Sequence, residues 1–116
     1  MALQRTRLAD IQYIAATAGS IYANAAATKT YIRGLVLFNG NTTSETVKIY
    51  NVPDAAAALG ASGVANQFIE QIILAKDTVF IELQHPVVLT DTNDSIQAVT
   101  TTASKVTVQI LGDKDA

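Results

Sequence analysis

Between residues 95 and 111 the chain alternates apolar and polar residues, and this pattern constrains the fold more than any other part of the sequence. A period of two residues is typical of a β-strand that buries one face and exposes the other. The inward-facing residues of the two runs are Ile96 and Ala98, then Val106, Val108 and Ile110. Small polar residues separate the runs, so the stretch predicts a β-hairpin with one wet face.

The same alternation recurs upstream at TVKIYNV and TVFIEL. We expect two further strand pairs, one joining IQYIAAT to SIYAN and one formed around a turn at residues 75–77. The pattern predicts an all-β chain: a single-domain antiparallel β-sandwich, jelly-roll or Greek-key-like, of about eight or nine strands. We expect an N-terminal arm at residues 1–10, the β-sandwich domain at 11–112 and a C-terminal tail at 113–116.

Four consecutive apolar residues at positions 35–38 interrupt the alternation. A strand of that composition is typically covered on both faces. Charged residues make up 16% of the 116-residue chain and hydrophobic residues 49%, a proportion that favours a subunit with surface hidden in an assembly. We therefore expect the core on one side of this strand and a neighbouring subunit on the other.

Composition also bears on the classes of partner. The chain has no cysteine, which rules out disulfides, thiolate metal sites and a cysteine nucleophile. Its formal net charge of −2 offers no basic footprint for nucleic acid. No stretch predicts a membrane span, and neither glycine-rich phosphate motif is present. We expect no nucleic acid, no membrane, no cofactor and no small-molecule ligand.

Three groups of residues suggest chemistry. His85 is the single histidine, and no catalytic set accompanies it, so we expect no enzymatic activity. Residues 91–94 offer oxygen ligands spaced as at the start of a calcium loop, but the later positions do not match; a turn is favoured, and a calcium site built with another loop remains open. Tyrosines could form a sugar-stacking platform, although strand-edge or interface positions are favoured for them. They are Tyr13, Tyr22, Tyr31 and Tyr50.

Three segments carry a resemblance to known proteins: Phe38-Asn39 at a strand end, residues 46–53 with their final Val-Pro, and residues 94–112. Together they resemble a group of short virion proteins of tailed bacteriophages, whose Gly-Asp before the last two strands is Asn93-Asp94 here. Asn also tolerates a left-handed turn. The resemblance covers the chain from about residue 20. It implies a non-enzymatic capsid decoration, or cement, protein on the virion surface, made in the host cytoplasm.

The partners that this resemblance implies are the major capsid protein and further copies of the chain, most simply in a homotrimer. Arg33, an isolated charge in an apolar strand, is expected either to guard a sheet edge or to pair with a carboxylate across a subunit boundary. The candidate subunit or capsid contacts are Arg5, Arg7, Tyr31, Arg33, Leu35, Leu37 and Tyr50.

Two alternative functions stay open. One is a phage tail or head-fibre module that binds a host surface glycan through the tyrosines and through the loops at residues 39–45 and 55–66. The other is a small β-sandwich enzyme or metal-binding protein centred on His85 or on the acidic turn.

Overall fold

Eight β-strands run through residues 3–56 and 58–115, the part of the chain that the computed structural model describes. A three-residue 3₁₀ helix, Val64–Asn66, precedes the fifth strand. The strands are β1 (Leu3–Tyr13), β2 (Gly19–Ala23), β3 (Lys29–Asn39), β4 (Glu45–Val52), β5 (Gln67–Ile73), β6 (Thr78–Leu89), β7 (Ser95–Thr100) and β8 (Val106–Asp115).

The strands form two four-stranded sheets. Sheet A has the order β1-β8-β3-β6 and sheet B the order β2-β7-β4-β5, and every neighbouring pair is antiparallel. The pairs β1 with β8, β2 with β7, β3 with β6 and β4 with β5 are nested along the chain, which is the connectivity of a jelly roll. The predicted all-β antiparallel sandwich is confirmed, with eight strands in the described residues.

The core lies between the two sheets, where the inward-facing side chains of both meet. Burying each large aliphatic side chain contributes roughly 1.5–3 kcal/mol, so this layer is the main source of stability. Sheet A supplies Ile32, Leu35, Leu37, Leu89, Val106, Val108 and Ile110, and sheet B supplies Ile21, Val47, Ile49, Ile73, Ile96 and Ala98. All five residues predicted to face inward between positions 95 and 111 therefore do so.

The predicted strand pairings are wrong, although the strands themselves are present. β7 and β8 do not form a hairpin: β7 lies between β2 and β4 in sheet B, and β8 lies between β1 and β3 in sheet A. The segment 101–105 therefore crosses from one sheet to the other. The same holds for β1 and β2 and for β5 and β6. Alternation indicates which side of a strand is buried, but it carries no information about the neighbouring strand.

The two chain ends also belong to sheet A. β1 pairs with β8 from Leu3 opposite Asp115 to Tyr13 opposite Thr107, so residues 3–10 and 113–115 are strand residues, where the sequence suggested an arm and a tail. The positions before Leu3 and after Asp115 lie outside the described residues. Two register shifts in β1, one before and one after Ala9, break its period of two, so the sequence shows only the end of this strand.

Gly112 allows the strands of sheet A to come close together. It lies in β8 opposite Ile32 of β3, and a Cβ atom there would overlap the carbonyl oxygen of Tyr31 and lie 3.1 Å from Leu8 Cδ1. Only glycine fits a position where backbone and side chain approach this closely.

His85 and Pro86 lie inside β6 and do not end it. β6 is at the edge of sheet A, and its pairing with β3 is irregular between Glu82 and Val87, where Pro86 costs no ladder hydrogen bond. The apolar residues after Pro86 therefore belong to β6 and do not form a separate strand, so the count is eight and not nine.

Candidate interaction surface

The outward side of sheet A carries a set of apolar side chains that the described chain leaves exposed. In β3 the outward-facing Val36 and Phe38 alternate with core residues. The strand register places Tyr13 of β1, Thr107 of β8 and Phe38 of β3 in one row across the sheet. Phe80 of β6 lies opposite Val36 of β3 in the next row. Phe80 is 76% exposed and Tyr13 is 62% exposed. We call this surface the open face; it consists of Tyr13, Val36, Phe38, Phe80 and Leu111.

A depression lies in the open face at Gly34. Gly34 faces Leu111 of β8 on one side and Glu82 of β6 on the other, and it has no side chain to fill the space between them. Val36 and Phe80 also line the depression. A Cβ atom at Gly34 would lie 3.1 Å from the carbonyl oxygen of Ile81, a tight contact. The open face therefore has a hollow beside its most exposed aromatic ring.

The outward side of sheet B is different, because the β4–β5 connection folds over part of it. The Gln97 side-chain amide donates hydrogen bonds to the Gly60 carbonyl oxygen (2.9 Å) and to Ser95 Oγ (3.2 Å). Tyr50 faces outward opposite Gln97 and is only 8% exposed. The connection thus serves as a cover for this end of the sheet.

Beyond this cover, β5 exposes a second, smaller apolar surface. Phe68 and Ile72 of β5, and Leu74 directly after the strand, are exposed, while Ile69 and Ile73 point toward the core. We call the three exposed residues the β5 surface. β5 is an edge strand of sheet B, so this surface lies at the margin of the sandwich, on the opposite sheet from the open face.

Leu35 and Leu37 were expected at a subunit or capsid contact, and the structure corrects this. They are 1% and 0% exposed and belong to the core. Their neighbours Val36 and Phe38 face outward instead. Four apolar residues in a row show that both sides of a strand are apolar, but not which pair faces the core.

Tyr31 and Arg33 lie toward the other end of β3, next to the register shift between Ile32 and Gly34. The Arg33 Nε donates a hydrogen bond to Asp113 Oδ2 of β8. The predicted carboxylate partner across a subunit boundary is thus replaced by a carboxylate of the same chain, on a neighbouring strand.

Of the other predicted contacts, Tyr50 lies beside the cover described above. Arg5 and Arg7 are in β1, opposite Asp113 and Leu111 of β8. Their side chains lie outside the described part of the structure.

The acidic turn is joined by a residue from another loop. Carboxylate oxygens of Asp54, Asp91 and Asp94 lie within 4.8 Å of one another. However, Asp94 already accepts backbone N–H groups from Asp54 (3.0 Å), Asp91 (3.0 Å) and Thr90 (3.2 Å). Burial raises the pKa of Asp94, but these hydrogen bonds outweigh it and hold the pKa below its ordinary value. The hydrogen bonding is that of a turn, in which Asn93 has a φ of 70°.

Glu45 plays a similar part at the other end of sheet B. Its buried carboxylate accepts hydrogen bonds from Asn41 Nδ2 (3.0 Å), Thr100 Oγ1 (3.1 Å) and the Thr102 backbone N–H (2.8 Å). Burial raises the pKa of Glu45, while these bonds lower it by more, so the net pKa is below the ordinary value. Glu45 joins the β3–β4 loop to the segment that crosses between the sheets.

The four tyrosines do not lie on one surface. Tyr13 is on the open face, while Tyr50 faces outward from sheet B. The Tyr22 hydroxyl lies 3.2 Å from Thr30 Oγ1, which fixes that ring at the edge of the core. His85 is exposed on β6, in the irregular stretch between Glu82 and Val87.

Sequence reasoning missed the most prominent residues of the open face, although a signal for one of them was present. In TVFIEL, Val79 and Ile81 form the inward set, which leaves Phe80 as an aromatic residue on the outward face of a half-buried strand. Gly34 had no such signal, because its role depends on Leu111 and Glu82 of two other strands.

Comparisons with known proteins give little further information. No family model and no curated protein matches this chain. Three chains among solved structures match it. One comes from a study of Bacillus endospore appendages, described as a novel family of disulfide-linked pili: it is 17% identical over 97% of this chain and 86% of that chain, with a TM-score of 0.46. That degree of similarity supports no statement about function here, and this chain has no cysteine for a disulfide link.

Residues 3–56 and 58–115 include no helix with the length and hydropathy of a membrane span.

Proposed function

We propose that this chain is a non-enzymatic structural protein of a bacteriophage virion, which decorates and stabilises the capsid by binding the lattice of the major capsid protein. One observation carries the proposal: a sandwich of two sheets presents two separate apolar surfaces, the open face and the β5 surface. A decoration protein needs two kinds of contact, one with the lattice and one with its own copies. Two surfaces on opposite sheets allow both contacts at once.

The side chains at the β5 surface suit a contact with a repeated lattice. Phe68 and Ile72 are large and apolar, and Glu70 lies between them on the same face of β5, paired with Lys48 of β4 at an Nζ–Oε1 distance of 4.0 Å. Apolar side chains contribute contact area to an interface, and a charged pair among them fixes the register and disfavours wrong partners. The surface is small, so its affinity for one site is modest, and binding to many lattice sites by a multi-copy assembly compensates.

The sequence resemblance supports the scaffold part of this proposal. Its three segments correspond to the end of β3, to β4 and to the β7–β8 region, which are strands inside the two sheets. They specify the jelly roll and not its exposed surfaces. The assignment of the lattice contact to the β5 surface therefore depends on exposure and chemistry alone.

The test is electron microscopy of the particles that contain this chain, combined with a binding assay on capsids that lack it. We expect density for the jelly roll on the outer shell, and we expect the purified chain to rebind the shell. Ile72→Asp places a charge in the β5 surface and should lower the bound copy number at least tenfold. Thr43→Asp, an exposed change in the β3–β4 loop, is the matched control and should bind like wild type.

Location of the chain in the tail, or its absence from the particle, overturns the proposal. Equal loss of binding in both variants overturns the assignment to the β5 surface. Binding to a glycan array that Tyr13→Ala abolishes would instead establish the glycan-recognition function.

A further inference from the structure

We propose that the open face is a twofold interface between two copies of this chain, in which Phe80 of each copy enters the depression at Gly34 of the other. This inference concerns the isolated protein and does not depend on the virion role. It names the occupant of a surface that the described chain leaves uncovered.

The first argument is that the projecting ring and the hollow are adjacent. Phe80 is opposite Val36, and Gly34 is opposite Glu82, so Phe80 and Gly34 are one strand and two residues apart. Strand spacing and rise place them about 8 Å apart on the same face. A contact that fills one hollow with a partner's ring therefore brings the partner's hollow against the first ring. Both contacts form together only when a twofold axis relates the copies.

The second argument is the composition of the depression. Its walls are formed by Val36 and Leu111, which are aliphatic, and its floor is the backbone of Gly34. An aromatic ring inserted in a small apolar hollow is the typical anchor of a stable interface. Glu82 is the charged residue of the lining, and it is on edge strand β6, where its carboxylate can remain at the wet rim.

The third argument is the size of the face. Four strands about 4.8 Å apart, with β3 of 11 residues rising about 3.3 Å each, give a face of about 20 by 36 Å, on the order of 700 Å². Stable interfaces bury about 600–1,000 Å² on each partner. The outward face of sheet A is therefore within the size range of a stable dimer interface.

The twofold arrangement replaces the homotrimer expected from the sequence. A trimer uses a different patch on each side of every subunit, so a ring and its hollow would have to lie on separate parts of the surface. Here they lie on neighbouring strands.

The experiment is light scattering of the purified chain over a concentration series. We expect a monomer–dimer equilibrium, with a dissociation constant raised at least tenfold by Phe80→Ala. Phe68→Ala removes an exposed aromatic ring from the β5 surface and is the matched control, with no expected change. Circular dichroism checks that both variants remain folded.

Cross-linking supplies a second readout, because the chain has no cysteine of its own. Copies carrying Phe80→Cys are mixed with copies carrying Leu111→Cys and then oxidised. Each copy then carries a single cysteine, so only a bond between copies can form. We expect a covalent dimer in this mixture and little in a control mixture of Phe68→Cys with Leu111→Cys.

A monomer at all concentrations overturns the proposal, as does a trimer. Equal cross-linking in the two mixtures also overturns it. Since no capsid is present, these outcomes are separate from those that test the decoration role.

Discussion

The outward faces of the two sheets differ, although the sheets are alike in strand number and in their apolar inner faces. On sheet B the β4–β5 connection covers Gln97 through Gly60, and the neighbouring Tyr50 is almost fully buried. On sheet A the described chain leaves the open face exposed. A sheet in a sandwich needs one buried face, and an apolar second face is generally covered by something. In sheet B the covering is a segment of the same chain, whereas in sheet A we infer a second copy.

The charged side chains of the two sheets also have different hydrogen-bond partners. Glu45 and Asp94, at the two ends of sheet B, use their carboxylates to accept hydrogen bonds from loops. On sheet A, Arg33 bonds to Asp113 across two neighbouring strands. In sheet B these carboxylates hold loops in place, and in sheet A the ion pair joins two strands.

The largest expected difference is in the free energy of unfolding lost when an aromatic residue is removed from each face. Tyr50→Ala should lower the free energy of unfolding by about 3 kcal/mol, because the ring is almost fully buried and its removal leaves a cavity. Phe80→Ala should change the stability of the monomer by less than about 0.5 kcal/mol, because the ring is mostly exposed. Urea denaturation at a concentration that favours monomer measures both. Similar losses in the two variants would remove the distinction between the faces.

The next largest loss of stability is expected at Glu45. We expect Glu45→Gln to cost about 1–3 kcal/mol, because a charged acceptor of three hydrogen bonds becomes neutral and one of its oxygens becomes a donor facing the Asn41 amide. Melting temperature and urea midpoint measure this. Thr43→Ala in the same loop is the control.

The pH dependence follows from the lowered pKa values of Glu45 and Asp94. Between the folded and unfolded pKa values the unfolded chain binds more protons, so stability rises with pH there. The contribution is fully present above the unfolded pKa values, which are about 4.3 for Glu and 3.9 for Asp, and is lost as pH falls through the lower folded values. Glu45→Gln should flatten this acid loss; an unchanged acid limb in melting curves would contradict the assignment.

A smaller effect is expected at the cover of sheet B. Gln97→Leu removes the hydrogen bond to Gly60 and should cost about 1 kcal/mol. Limited proteolysis should then cut within residues 53–66 several-fold faster than in wild type, because the connection opens more often. If the cleavage rate stays the same, the cover is held by other contacts.

The smallest expected changes in stability come from breaking one ion pair on each sheet. Arg33→Ala should cost about 1 kcal/mol, because the buried Asp113 loses a charged donor but the half-exposed Arg33 lets solvent weaken the pair. Lys48→Ala should change stability by less than about 0.5 kcal/mol, because both Lys48 and Glu70 are well exposed. Thermal melts of the two variants in parallel check the order, and a larger loss for Lys48→Ala would reverse it.

The sequence was sufficient for the strands and their inward residues where the period of two is unbroken. It placed Ile96, Ala98 and Val108 in the core correctly. It placed the first strand at residues 11–17 and missed residues 3–10 of β1, because register shifts on both sides of Ala9 interrupt the alternation. It also gave wrong partners for β7 and β8, since partner choice depends on which sheet each connection leads to.

The candidate surface was only partly predictable. The run at residues 35–38 correctly indicated that both sides of β3 are apolar, but it assigned Leu35 and Leu37 to the exposed side. Tyr50 was expected at a contact because tyrosines favour interfaces; it lies beside a cover whose path the sequence did not reveal.

By itself, the sequence determined that this chain folds as an all-β sandwich and which faces of most strands are apolar, because alternation is a local property of neighbouring residues. Only the tertiary structure decided which strands pair, that consecutive strands mostly change sheets, and that the face of sheet A is left open. Those features depend on contacts between residues far apart in the chain, such as Gly34 with Leu111 and Gln97 with Gly60, and no local pattern encodes them.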